Sequence, residues 1–461
     1  MRPAARYALA LLLLAPHTRS LAGQSPLSLA EALDRADRAG YANRIAAGET
    51  RAQDGQALAP FRGILPTVRL ESGYVRTTDP LSAFGFTLRQ RRVTPAAFAP
   101  ASLNDPRAIG NLTGGLILEQ PLFNADAWAG RRATANAAAA RRAAERWTRS
   151  TTSVEVVRAY WGAVLATEQV RALEAASRSA QSHVRQAEAL VRQGMATGSD
   201  ALLASVKAGE VEVQLLNAGN QAAAARRGLA TLMGAPSDTG FVLPEALPGP
   251  ESIGPAASEL TADSGSLATR SDVEAARHAR VAAEADATRA KALFLPRLNG
   301  FGRLDWNDPD TPFGGRSAWT LGVMLSWSPF AGASEMAELR AAGGRRESAQ
   351  ARADAAVAEA GLDLARARDA LATAVARLAI AERSVAQAHE AHRIVGRKYD
   401  GGLTTITELF DAAAVETASV LGYASARYDA LVAIADLRRA AGLDVGSAAR
   451  WPGDSAVEGG E

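Results

Sequence analysis

The sequence predicts a mainly α-helical protein whose β-strands enter a membrane β-barrel, built from a unit of strands and a long helical hairpin that occurs twice. Three observations carry this prediction: landmark motifs that recur at matched spacing, two proline-free stretches of coiled-coil character, and four segments in which apolar residues alternate with small or polar ones.

Composition narrows the field before any motif is read. The 461-residue chain is 48% hydrophobic and 22% charged, too apolar for a disordered chain and too charged for a polytopic helical membrane protein. Only 5% of residues are aromatic. Alanine takes the place of larger side chains, which favours long, closely packed helices over thick cores. The absence of cysteine excludes disulfide frameworks, thiolate metal sites and thiol nucleophiles. With 51 Lys+Arg against 49 Asp+Glu there is no electrostatic case for nucleic acid.

At the N-terminus, Arg2 and Arg6 precede an apolar run over 7–15, and Ser20 and Ala22 sit at signal-peptidase spacing, so residues 1–22 are expected to be a cleaved leader. No later segment is apolar for the ~20 residues a spanning helix needs, so any insertion into lipid must use strands.

Four landmarks then occur twice in the same order. Leu65-Pro66-Thr67-Val68-Arg69-Leu70 returns as Leu295-Pro296-Arg297-Leu298, and Pro121-Leu122-Phe123 as Ser328-Pro329-Phe330. Gln193-Gly194-Met195-Ala196-Thr197 returns as Gly401-Gly402-Leu403-Thr404-Thr405, and Gly234 as Gly442. Phe123 to Gly194 is 71 residues and Phe330 to Gly402 is 72, while Gly194 to Gly234 and Gly402 to Gly442 are both 40. Pro66 to Phe123 is 57 residues against 34 for Pro296 to Phe330, which places an insertion in the loop over about 77–111. The division that follows is a first repeat over 23–234, a Pro-, Gly- and Ser-rich linker over 235–266, a second repeat over 267–444 and a mobile tail over 445–461. The linker is expected neither to continue a helix nor to pack a core.

Within each repeat the period changes. Trp319, Leu321, Val323, Leu325 and Trp327 alternate with Thr320, Gly322, Met324, Ser326 and Ser328, and the two tryptophans are about 26 Å apart along a strand, close to the height of an outer-membrane apolar band. The same period appears in Leu298, Gly300, Gly302, Leu304 and Trp306, in Val68, Leu70 and Tyr74, and in Leu112, Gly114, Leu116 and Leu118. Trp306, Trp319 and Trp327 are the candidate interfacial girdle. The glycines favour the alternative of a two-sided soluble sheet; if the strands enter the membrane, four cannot close a barrel and several chains must pool them, with dimer, trimer and tetramer all open on this arithmetic. The helical stretches carry heptad-like seams: Val154, Val157, Trp161 and Val164 going out, Leu202, Val206, Gly209, Val213 and Leu216 returning, and Leu364, Ala367, Leu371, Ala374 and Leu378 in the second copy. A helix of roughly 70 residues is about 100 Å long.

This order of signatures, opening with Leu27-Ser28-Leu29-Ala30-Glu31-Ala32 and including Gln120-Pro121-Leu122-Phe123, resembles the TolC-type outer-membrane efflux protein family across nearly the whole chain. The resemblance implies a homotrimer with one 12-stranded β-barrel in outer-membrane lipid, continued by a periplasmic α-helical barrel. It implies a passive exit duct of a tripartite efflux pump or a type I secretion system, not an enzyme and without cofactor. Its partners would be a periplasmic adaptor (membrane fusion protein) and, through it, an inner-membrane RND, ABC or MFS transporter.

The resemblance also assigns the turns. Gly194, Met195, Ala196 and Thr197, with Gly402, Leu403, Thr404 and Thr405, would be the adaptor-docking tips. Glu408 and Asp411, which also make a favourable acidic first turn, would line the entrance as an acidic ring, and Ser199, Asp200 and Tyr399 would latch it shut. The best-known member has an arginine where this chain has Thr404, so a charge-assisted bond of that latch is missing here. Ser199 and Thr407 are the expected helix caps. His389 and His392 are read as a solvated helix face, as are Arg141-Arg142, Arg226-Arg227 and Arg438-Arg439. The competing reading is a soluble periplasmic coiled-coil scaffold or adaptor, for which the duplicated strands and hairpins are an excess.

Overall fold

The computed structural model describes residues 26–262, 267–446 and 451–452; the expected leader lies outside the described residues. Ser28 caps the first helix, α1 (Leu29–Ala39), by accepting the Glu31 amide at 3.1 Å, and α2 (Tyr41–Gln56) follows. Strand β1 (Thr67–Thr77) then leads into the inserted loop, which holds two short helices, α3 (Pro80–Arg89) and α4 (Pro100–Asn104). Strand β2 (Ile109–Phe123) returns into α5 (Ala125–Arg192) and α6 (Gly198–Leu232). After α7 (Pro250–Ala262), the second copy runs α8 (Ser271–Ala292), β3 (Arg297–Asp308), β4 (Ser317–Ser326), α9 (Ser334–Asp400) and α10 (Ile406–Ala440). The four strands form one antiparallel sheet in chain order, with β1 and β4 as open edges.

Helices α5 and α9 have 68 and 67 residues, about 100 Å each, and their returning partners have 35. Helix α8 covers the strand-proximal halves of both long helices, bridged by Arg146–Glu274 (2.5 Å), Arg289–Glu338 (2.7 Å) and Arg345–Asp286 (3.0 Å). The four landmark glycines share one backbone role: Gly194, Gly234, Gly402 and Gly442 have φ of +73°, +76°, +69° and +73°, the left-handed state that ends a helix and that glycine adopts without penalty.

The main core lies midway along the helices. The expected seams Val154, Val157, Trp161 and Val164, and Leu364, Ala367, Leu371, Ala374 and Leu378, are buried there with Leu431, Ile434 and Leu437 of α10, and the Tyr160 hydroxyl donates to the Leu27 carbonyl at 2.8 Å.

Three expectations are corrected here. Within the stretch read as linker, residues 235–260 do pack: Phe241, Leu243, Leu247, Ile253, Ala257 and Leu260 join the core, and the Leu247 carbonyl accepts from Arg427 at 3.0 Å. The prolines of this stretch fall in the loops, at the helix start and, as Pro255, inside α7, while its apolar residues are too sparse to show a period. The tail is tied down at its start, where Val445 and Trp451 are buried and the Arg438 guanidinium lies 4.7 Å over the Trp451 ring; Arg438 is therefore no solvated residue. Thirdly, Leu202, Val206, Val213 and Leu216 of α6 do not face α5 but are exposed, and the buried Ala204 and Ala218 mark the helix's inward side.

Candidate functional site

Strand register gathers the apolar residues on one face of the sheet. Val68 pairs with Leu118, Leu118 with Gly302 and Gly302 with Leu321; Leu70 pairs with Leu116, Leu116 with Leu304 and Leu304 with Trp319. Because side chains alternate, every apolar set read from the four strands falls on one face. Trp319, Leu321, Val323 and Leu325 are 64–74% exposed in the single chain, an apolar surface far too continuous for water. Trp327, at the helix end, donates to the Phe294 carbonyl at 3.1 Å, and Trp306, at the far end, meets Phe313 edge-on at 5.8 Å. The opposite face carries Arg69, Glu71, Asn111, Thr113, Arg303, Asp305 and Asn307.

At the other extremity the two turns are built alike. The Met195 amide donates to Leu190 and the Leu403 amide to Lys398, both at 2.9 Å, closing α5 and α9 behind the left-handed glycines. Thr197 and Thr405, not Ser199 and Thr407, cap the returning helices: their hydroxyls accept the amides of Asp200 and Glu408, each at 3.3 Å. Asp200 returns a bond to the Thr197 amide at 2.9 Å, completing a capping box. Ser199 lies in the first turn of α6, its hydroxyl 2.7 Å from that of Thr197. The equivalence Asp200 with Glu408 follows from geometry, since both are the third residue of their helix. Thr404 donates to the Glu408 carboxylate. Glu408 and Asp411 are exposed, Met195 is 66% and Leu403 80% exposed, and Ala196 is half-buried.

The expected Tyr399–Asp200 bond is not formed within the chain. The Tyr399 hydroxyl is buried and has no hydrogen-bond partner among the described residues, packed with Ala180, Ala187, Ala204, Ile406, Leu409 and Phe410. Burial, and then the Asp200 charge, push its pKa up. Near the tips a polar link between the hairpins is made instead by Gln186 donating to Asp400.

Beside that link, the His-x-x-His pair proves to be more than a solvated face. His389 and His392 both contact the Glu416 carboxylate, and His183 of α5 meets His392 edge-on at 5.6 Å and Phe410 at 5.7 Å. Sequence spacing could not reveal His183, which arrives from the other hairpin. Among the described residues no group of three or more His, Asp or Glu side chains is placed to hold a metal ion.

Acid is expected to loosen this contact. Burial first, then the neighbouring His392, hold His183 below its usual 6.5, while Gln186 and Asp400 act the other way. Its stabilising contribution is complete above 6.5 and is lost as pH falls toward the folded-state value. Glu416, despite burial that opposes ionisation, is held below 4.5 by His389 and His392, so its share is also lost on acidification. Amide exchange over 179–187 and 389–396 should therefore accelerate more steeply toward acid in the native chain than in His183→Phe; parallel profiles would refute the assignment.

A one-faced apolar sheet with open edges, standing on helical hairpins about 100 Å long, is the architecture of an outer-membrane channel with a helical tunnel. The outer membrane efflux protein family model matches residues 44–235 and 264–443. The chain belongs to that family, and is an outer-membrane protein with a periplasmic extension. It is 26% identical over 338 residues to the alkaline protease secretion protein AprF of Pseudomonas aeruginosa, covering 71% of this chain and 69% of that one. Its fold is similar to that of the outer membrane protein VceC of Vibrio cholerae (TM-score 0.75, 20% identity, 90% and 96% of the two chains). It is likewise similar to the CmeC outer membrane channel of Campylobacter jejuni (TM-score 0.74, 17% identity, 96% and 93%). Members of the family are channels rather than enzymes.

Proposed function

We propose that the chain, organised as repeats 23–234 and 267–444, is one third of a homotrimeric exit duct that passively conducts substrates through the outer membrane. It would serve a tripartite efflux pump or a type I secretion system. The observation that carries the reading is the sheet: its lipid-type face is complete, yet β1 and β4 are unpaired edges, which hydrocarbon does not tolerate. Three copies supply a closed barrel of twelve strands. The exposed Leu202, Val206, Val213 and Leu216 of α6 give adjoining chains an apolar helix face to cover.

On this reading the paired tips dock a periplasmic adaptor through Met195 and Leu403, and the adaptor joins the duct to an inner-membrane RND, ABC or MFS transporter. Glu408 and Asp411 give six carboxylates around the entrance, a field that concentrates cations. Glu408→Gln with Asp411→Asn is expected to weaken block by a trivalent cation added on the periplasmic side by at least about tenfold; unchanged block would remove both residues from the entrance. Tyr399, Asp200 and Ser199 restrain the entrance between neighbouring coiled coils, Tyr399 through the cluster that joins the two hairpins.

The deciding measurement is the mass of the detergent-extracted outer-membrane particle, corrected for bound detergent. Three chain masses support the shared barrel. A monomer recovered without detergent from the soluble periplasm would replace the duct with a coiled-coil scaffold.

A further inference from the structure

The inserted loop between β1 and β2 does not simply project outward. Gln90, the residue after α3, donates from its side-chain amide to the Gly110 carbonyl and to the Asn111 side chain, both at 2.9 Å. Asn111 in turn donates to Asn307 of β3 at 2.9 Å, and the two asparagines are 0% and 6% exposed. Both lie on the face of the sheet opposite the apolar one. The loop is thus clamped across the polar face at the strand end remote from the helices.

The clamp sets the position of three arginines. Arg89, Arg91 and Arg92 flank Gln90, and all are exposed. Arg91 has φ +56°, a conformation that costs an arginine energy and that glycine would hold freely. It persists because the Arg91 amide donates to Leu88 and the Arg92 amide to Thr87, both at 3.0 Å, while Gln90 is fixed from its other side.

The charge is only partly offset locally: the Asp310 and Thr311 amides, and then the Arg92 guanidinium, hold the Asp308 carboxyl below its usual range. On the wall of the same face Arg303 is neutralised by Asp305 (2.6 Å) and Arg69 by Glu71 (3.4 Å), and Glu119 stands at the helix-proximal end. At the remote end, Asp79 caps α3 through the Ser82 amide at 2.8 Å, and Asp308 accepts the Asp310 and Thr311 amides at 2.9 and 3.0 Å. Asp105 and Asp310 complete the acidic groups there, against Arg76, Arg89, Arg91, Arg92, Arg107 and Arg316. None of these six arginines forms an ion pair among the described residues.

We propose that Arg89, Arg91 and Arg92 form an anion-selecting collar at the external mouth of the duct. The proposal rests on the barrel reading, which turns the polar face toward the lumen. A trimer then carries nine guanidinium groups around the exit, those of Arg89 and Arg91 with no ion pair among the described residues and those of Arg92 partly offset by Asp308. A ring of net positive charge favours anionic over cationic solutes as they leave. The duct is asymmetric along its axis, acidic at the periplasmic entrance and basic at the exit.

The test is made on the purified full-chain particle in planar bilayers under a KCl gradient, with inositol hexakisphosphate as a multivalent anion. Against the native chain, R89Q/R91Q/R92Q is expected to shift the reversal potential toward cation selectivity. It is also expected to weaken block by externally added inositol hexakisphosphate at least tenfold, with no such change when the anion is added from the periplasmic side. Gln90→Ala, which keeps the charges and frees the clamp, should fall between the two. An unchanged reversal potential and block in conducting R89Q/R91Q/R92Q particles would overturn the collar and leave the duct standing. A monomer recovered without detergent from the soluble periplasm would overturn the duct, and the collar with it.

Discussion

Val323→Arg is expected to remove the protein from the outer membrane, whereas Met324→Arg, one residue away, is expected to assemble normally. Val323 lies midway between Trp319 and Trp327, on the face shared with Leu321 and Leu325, and is 64% exposed in the single chain. Arginine at the midplane of a lipid face costs about 2–4 kcal/mol. Three symmetry-related copies bring this to roughly 10 kcal/mol, comparable with the whole stability of a typical folded domain. Met324 points to the other face, opposite Asn299, where a cation meets water and a polar neighbour. Outer-membrane fractionation and gel mobility of unheated particles read the result. If Val323→Arg assembles as the native chain does, that face never meets lipid.

That contrast rests on information legible in the sequence alone, because a period of two needs no knowledge of the partner strand to state which residues share a face. The register of the sheet then places Val68, Leu116, Leu304 and Trp319 together as the alternation requires. The helical lengths were legible for a similar reason: proline-free stretches bounded by glycine are closed by backbone geometry, and all four landmark glycines carry positive φ.

What was not legible depends on contacts distant in the chain. Helix α6 offers two apolar stripes, and the sequence does not say which one meets α5; the stripe through Leu202 and Leu216 is the exposed one. At the first tip, Thr197, Ser199 and Asp200 are all competent caps, and only the backbone of the turn selects Thr197. The Tyr399–Asp200 pairing was inferred from resemblance, and within the chain the cap consumes Asp200 while Tyr399 packs into the inter-hairpin cluster. His183 joins His392 across more than two hundred residues, and Gln186 joins Asp400 likewise. The apolar residues of 235–262 lack a period because they plug gaps between helices rather than present a face, so composition alone read them as linker.

The same junction supplies the second large effect. Arg270→Ala is expected to cost about 3 kcal/mol locally, the low end of the range for removing one member of a buried ion pair. The Arg270 side chain is 1% exposed, pairs with Asp272 at 2.7 Å and Asp363 at 3.4 Å, and lies 4.9 Å over the Trp147 ring. It also donates to the Ala440 carbonyl at 3.1 Å and the Ala360 carbonyl at 3.2 Å. Ala440 ends α10, so its carbonyl has no partner within the helix and this guanidinium supplies one. One side chain thereby fixes the start of α8 to the end of α10 and the middle of α9. Asp272 and Asp363 are 25% and 41% exposed and regain water when the arginine is lost, which holds the cost at the lower end, while the Ala440 carbonyl loses its guanidinium donor. Amide exchange in the last turn of α10 should accelerate by about a hundredfold in Arg270→Ala, since each 1.4 kcal/mol is a factor of ten. Arg270→Lys keeps the charge and loses the fork, so it should recover part of the protection. Equal exchange in all three proteins would mean that helix packing alone holds the junction and that the buried charge contributes nothing to it.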